Sequence, residues 1–224
     1  MDKNTKILKN FILELNLLGY SENTIKTYRL TVEDMLKRVN KDPKDIDEIK
    51  IKEYLIYLKK DRNNSNKTMA MKTNAIKTFL KTLKNPAADD IRLPKVEKTL
   101  PTVLSIEEVK RLLECAGNTR DHLTLRVLYS TGVRVSELVK LRINDIQDQR
   151  IHIRSGKGSK DRIIYIDPKT EIMIKTYIEQ NRPKTHIFEN KENKPLTPRT
   201  IQRIVEKYRN KAGIDKEVTP HILR

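Results

Sequence analysis

Tryptophan is absent from this sequence of 224 residues, and cysteine occurs once. A single cysteine, Cys115, excludes a disulfide within the chain and fits a reducing compartment. It lies inside a helical pattern, where it serves as a small apolar residue and needs no reactive role. No stretch approaches the ~20 consecutive apolar residues of a membrane span, and no signal peptide opens the chain. The expectation is a soluble cytoplasmic protein. Only six glycines and nine prolines are present, which excludes collagen-like and low-complexity chains. His122 and His152 have no cysteine or acidic cluster at ligand spacing, so no metal is expected.

Positive charge is abundant. Lysine and arginine total 47 against 30 acidic residues, a formal charge of +17. Such an excess points to a polyanionic partner, of which nucleic acid is the commonest. A lysine-rich solvated surface remains the plain alternative. An anionic membrane ranks last, because no basic amphipathic helix presents Trp or Phe on its apolar face. Apolar residues make up only 37%, but they recur at helical spacing through most of the length, which argues for a folded chain.

Ile7, Leu8, Phe11, Ile12, Leu15 and Leu18 form one helical face, which Gly19 ends. Ser21 is an N-cap for a second pattern through Ile25, Tyr28, Val32, Met35, Leu36 and Val39. A third helix carries Ile51, Tyr54, Leu55 and Leu58. A fourth carries Ala75, Ile76, Phe79, Leu80 and Leu83 and stops near Asn85-Pro86. Four short helices read as a compact bundle over residues 1–86. Lys26, Arg29, Lys72 and Lys77 are candidate phosphate contacts on its faces, against the alternative of ordinary solvated helix surfaces. Residues 87–104 lose the periodicity and hold Pro94 and Pro101; they read as an extended basic linker.

The remaining segment, 105–224, is mixed. Ser105-Ile106-Glu107-Glu108 is a capping box. A helix follows at about 121–130, with Gly132 placed as its C-cap, and a short helix over 135–141 starts at Arg134. The period then changes from helical to alternating in Arg150-Ile151-His152-Ile153-Arg154 and, in part, in Arg162-Ile163-Ile164-Tyr165-Ile166, which predicts a β-hairpin. Pro168 opens a helix to about 180. His186-Ile187-Phe188 has the composition of a short strand. Thr197-Pro198 opens a basic helix carrying Arg199 and Arg203, and Thr219-Pro220 repeats the opening signal just before His221. The fold class is therefore mainly α with a small β-hairpin or sheet, α+β, in two domains.

Three motifs carry chemistry. The first is Gly132-Val133-Arg134-Val135-Ser136-Glu137-Leu138. The second is the hairpin turn Gly156-Lys157-Gly158-Ser159-Lys160-Asp161-Arg162. The third is His221-Ile222-Leu223-Arg224. Two arginines, a lysine and a histidine suit a phosphodiester under attack. Arginine's planar fork donates two parallel bonds to non-bridging oxygens and never loses its proton. The lysine turn is not a P-loop, since it lacks GxxxxGK[ST] and joins two strands. Taken singly, each motif also has a plain reading: an i,i+3 ion pair for Arg134 and Glu137, exposed turn charges for Lys157 and Lys160, and end-of-chain residues for His221 and Arg224.

In this order and spacing, the motifs make the chain resemble the tyrosine recombinases and phage integrases, nearest to the Xer-type branch, over essentially its whole length. The resemblance implies a helical core-binding domain and a mixed catalytic domain that clamp double-stranded DNA. It also implies strand cleavage and rejoining through a 3′-phosphotyrosyl intermediate, with no metal, nucleotide or other cofactor. Arg134 and Arg224 match the family's phosphate-clamping arginines and Lys157 its general acid, with Lys160 a less apt substitute. His221 matches the histidine that assists proton transfer, and Glu137 the acid that supports the arginine. Lys160, Arg162, Arg199 and Arg203 join the bundle residues as candidate DNA contacts. The layout leans towards chromosome-dimer resolution over mobile-element integration.

The sequence departs from the family at its end. The nucleophilic tyrosine and the tail that docks into a neighbouring subunit follow the HxxR motif in the family, and no residue follows Arg224 here. The expectation is a shortened chain that binds DNA without cleaving it. It would be a monomer where the full-length family protein is a homotetramer on DNA. The alternative is a naturally shortened DNA-binding regulator on a recombinase scaffold. A terminal helix of one turn is also expected neither to nucleate nor to pack, leaving Arg224 loosely held.

Overall fold

The computed structural model describes residues 3–96, 100, 102–154 and 161–224. It divides into two units at Thr99 and Leu100, each with its own apolar core.

The first unit holds α1 (Lys3–Leu17), α2 (Glu22–Val39), α3 (Glu48–Lys60), α4 (Asn66–Thr82) and α5 (Ala87–Asp90). Local chemistry sets its boundaries. Ser21, Asp47 and Ser65 each accept the backbone N–H three residues on and so cap α2, α3 and α4. Gly19 takes a φ of +71°, where a glycine ends a helix without steric cost. Phe11, Val32, Met35, Ile51, Leu58, Ile76 and Phe79 fill the core, and Phe11 meets Phe79 edge-on at 5.2 Å.

Residues 87–91, expected to begin the linker, belong instead to this unit. Ala87, Ala88 and Ile91 are buried in its core. Asn85 ties the segment down: its side-chain amide donates to the carbonyls of Lys44 (3.1 Å) and Ile46 (2.9 Å), and its Oδ1 accepts Ala87 N–H at 2.9 Å. A four-residue helix is too short to show a period, which is why sequence pattern passes over it.

The second unit contains α6 (Ile106–Glu114), α7 (Thr119–Thr131), α8 (Val135–Leu138), β1 (Ile146–Gln147), β2 (Arg150–Ile153), β3 (Arg162–Tyr165), α9 (Pro168–Asn181) and α10 (Pro198–Lys211). The Ser105–Glu108 capping box is formed as expected, as is the Thr197 cap of α10. The expected hairpin supplies two strands of a three-stranded antiparallel sheet ordered β1-β2-β3. The added strand is reached through Asp148 and Gln149, both at positive φ. That is the conformation of a two-residue type I′ hairpin turn, here without the glycine that would advertise it.

Cross-strand partners share a face. Ile151 lies opposite Ile164 and Ile153 opposite Arg162, so Arg162 shares the inward face of β3 with Ile164. His186 makes only an isolated bridge to Arg142, so the short strand expected there reduces to one residue pair. The 186 loop is instead held by Glu189, whose carboxylate accepts the N–H groups of Lys184, Thr185 and His186 at 2.8–2.9 Å. Among the described residues, no helix is long and apolar enough to cross a membrane.

Candidate active site

The site begins at the end of α7. Gly132, at φ +61°, donates its N–H to the Leu128 carbonyl and closes the helix. Val133 is fully buried and anchors the turn. Arg134 is the N-cap of α8: its carbonyl accepts the N–H of Leu138 at 2.9 Å. Glu137, one turn on, is buried and reaches back to accept Arg134 N–H on Oε2 at 2.8 Å and Arg134 Nη1 on Oε1 at 2.8 Å.

A third partner was not expected. Arg162, a candidate DNA contact by sequence, donates Nη1 to Glu137 Oε1 at 2.8 Å and Nη2 to Oε2 at 2.7 Å. These two bonds are the main reason that the Glu137 carboxyl is lowered from 4.5 to about 2. Burial opposes them, and the backbone and guanidinium of Arg134 add to them. Part of the signal lay in the alternation of β3, which puts Arg162 on the inward face beside Ile164, where an acidic partner is favoured. What the sequence could not show was which acid, because Glu137 sits on a different element.

Arg224 joins the site from the far end of the unit. A Cβ placed on Gly132 would meet Arg224 Cγ at 3.3 Å and Nε at 4.0 Å, so the Arg224 side chain lies across Gly132, two residues from Arg134. The segment that carries it forms a single turn, with Ile222 and Leu223 N–H both donating to the Thr219 carbonyl. Contrary to expectation this turn packs: Leu223 is buried in the core with Ile214 and Val218. One buried leucine supplies the anchorage that an isolated turn lacks. His221 and Arg224, on either side of Leu223, are exposed.

The other expected residues are spread more widely. Lys157 and Lys160 lie outside the described residues. Arg199 and Arg203 are exposed on α10. That helix is locked to the start of α7 by Tyr208, whose hydroxyl donates to Asp121 at 3.0 Å and accepts Gly117 N–H at 3.2 Å. Burial works to raise the Asp121 carboxyl, but hydrogen bonds from Asn118, Arg120 and Tyr208 outweigh it and hold it low.

In the first unit Lys26 is exposed and Lys72 half-buried, and Arg29 pairs with Glu33 at 3.6 Å. Lys77 donates to the Ile91 carbonyl at 3.3 Å, so it also holds the chain after α5. Glu137 further borders a cavity of about 470 Å³ whose wall includes Lys140, Arg142, His152, Arg154 and His186. Sequence reading assigned these to no site; Asp145 also lines the cavity and accepts Arg154 Nε at 2.8 Å. Among the described residues, no group of three or more His, Cys, Asp or Glu side chains is placed to hold a metal ion.

Comparison with known proteins agrees over both units. The profile of the phage integrase family matches residues 102–224, and that of the phage integrase N-terminal SAM-like domain matches residues 7–89. Tyrosine recombinase XerA of Pyrococcus furiosus is 36% identical over 229 residues, covering 98% of this chain and 78% of the relative. Tyrosine recombinase XerC of Leptospira interrogans is 31% identical over 238 residues, covering 96% and 76%. Among solved structures, XerA recombinase aligns with a TM-score of 0.53 at 32% identity, over 99% of this chain and 81% of that one. A lambda integrase tetramer bound to a Holliday junction shares the fold with a TM-score of 0.79 at 17% identity, over 98% and 70%. The motif order, the two helical units with one small sheet, and these identities place the chain in the phage integrase family, among the Xer-like tyrosine recombinases.

Proposed function

We propose that this chain binds double-stranded DNA and presents one phosphodiester to Arg134 and Arg224 for site-specific strand exchange. The observation that carries the reading is the seating of Arg224 across Gly132, which sets two permanently charged forks beside one glycine turn. Attack on phosphorus loads negative charge on the non-bridging oxygens, and fixed donors aimed at that charge are commonly the largest catalytic contribution. In the proposed step a tyrosine hydroxyl attacks phosphorus, the bond to the 5′-oxygen breaks, and Lys157 gives that oxygen its proton. His221 takes up the proton that the tyrosine hydroxyl loses, and attack by another 5′-hydroxyl reverses the step, returns that proton to the tyrosine and rejoins the strands. Lys26, Arg29, Lys72, Lys160, Arg199 and Arg203 act as further phosphate contacts. The relatives named above are recombinases, and lambda integrase has been crystallised on DNA.

None of the eight tyrosines lies after His221; the last is Tyr208, which is buried. We therefore expect a polypeptide of these 224 residues alone to bind DNA without forming the phosphotyrosyl bond. A nicked suicide duplex that traps covalent adducts tests this. The expected result is a salt-sensitive mobility shift, with affinity falling steeply as salt rises, and no adduct that survives denaturation. A denaturation-resistant adduct would overturn the second part, and a shift indifferent to salt the first.

A further inference from the structure

The carboxylate of Glu137 has four lone-pair positions, and four donors occupy them: Arg134 N–H, Arg134 Nη1, Arg162 Nη1 and Arg162 Nη2. The division is unequal. Arg162 is held by a fork-to-fork pair, while Arg134 gives the acid one guanidinium nitrogen and keeps its remaining N–H groups without a side-chain partner among the described residues. The Arg134 side chain stays 36% exposed, against 6% for Glu137. Charge and geometry set this balance. A buried carboxylate facing Arg134 alone would draw in the whole fork, since the two-bond arrangement is the stronger one. A second arginine that fills the carboxylate leaves Arg134 only loosely claimed.

We propose that Arg162 is a positioning residue for strand transfer: by saturating Glu137 it keeps the free edge of the Arg134 guanidinium turned outward for the phosphate, and it does not itself touch DNA. The proposal rests on the phosphate-clamp reading of Arg134. It replaces the sequence expectation that Arg162 is a DNA contact. It also ties the edge strand β3, which Arg162 opens five residues after Lys157, to the turn that carries Arg134, so one carboxylate sets the register between the hairpin and the arginine.

The test is a double-mutant cycle in the full chain, with a short random-sequence duplex as probe. Arg162→Gln should weaken duplex binding about tenfold in the parent and cause no further loss in an Arg134→Ala background. Equal losses in both backgrounds, with a salt slope shallower by about one, would make Arg162 a direct phosphate contact and overturn the proposal. A second measurement needs no DNA. In a crystal structure of Arg162→Gln, the Arg134 guanidinium should have swung onto both Glu137 oxygens, and an unmoved Arg134 overturns the relay. Should Arg134→Ala alone leave binding unchanged, the clamp reading fails, and the crystal structure still decides whether Arg162 orients Arg134. Arg162→Lys, which keeps the charge but loses the fork, should give an intermediate loss if Arg162→Gln does not fold.

Discussion

Glu137 makes the stability of the Arg134 turn depend on pH. Its carboxyl is lowered from 4.5 to about 2, so the folded state favours the charged form. The stability this confers is complete above about pH 4.5 and is lost as pH falls from there towards 2, for a total on the order of 3 kcal/mol. Glu137→Gln should therefore flatten the acid limb of a stability-against-pH curve measured by urea melts. An unchanged acid limb would show that the carboxylate is not held by its arginines. Gly132 is the second telling residue. It meets two demands at once, the left-handed φ of +61° and the passage of Arg224 over its Cα. Gly132→Ala should cost about 1–2 kcal/mol from backbone strain alone. It should also lower DNA affinity by displacing Arg224, to be read by thermal melts and mobility shifts on the same sample. Loss of stability with full DNA affinity would mean that Arg224 takes no part in binding.

At the scale of elements, chemistry within four residues and the pairing of β2 with β3 were legible in the sequence, and the other contacts between elements were not. Ser21, Ser105, Gly132 and Thr197 cap or close their helices as their residue types require, because a cap is decided by neighbours in the chain. The two-residue strand β1 escaped, since Asp148-Gln149 adopts a hairpin turn without a glycine signal. So did α5, whose place depends on Asn85 reaching the loop between α2 and α3. In the site, Arg134 and Glu137 were legible as a local pair, whereas Arg162 and the seat of Arg224 were set by distant segments meeting. Asn85 invites a direct test. Asn85→Ala should destabilise the first unit by about 1–3 kcal/mol, as buried carbonyls lose their donor. Asn85→Asp should be worse, because it sets an acceptor oxygen against carbonyl oxygens. Denaturant melts of the two variants rank the effects, and an Asp variant as stable as the parent would contradict the role given to the amide.

At the scale of the whole molecule, two cores share no residue and meet the chain's division at Thr99 and Leu100. A fragment of residues 1–96 should therefore fold by itself and melt in one cooperative transition. A broad, non-cooperative melt would show that its core is incomplete. The seat of Arg224 on Gly132 bears also on the order of folding. Its two ends are separated by most of the second unit, so loop closure weighs on this contact more than on any helix turn. The helices, their caps and the Arg134–Glu137 pair can form early from local sequence. The paired arginines exist only after the turn bearing Leu223 has docked. A partly folded chain thus carries its full positive charge before the two arginines of the proposed phosphate clamp have met.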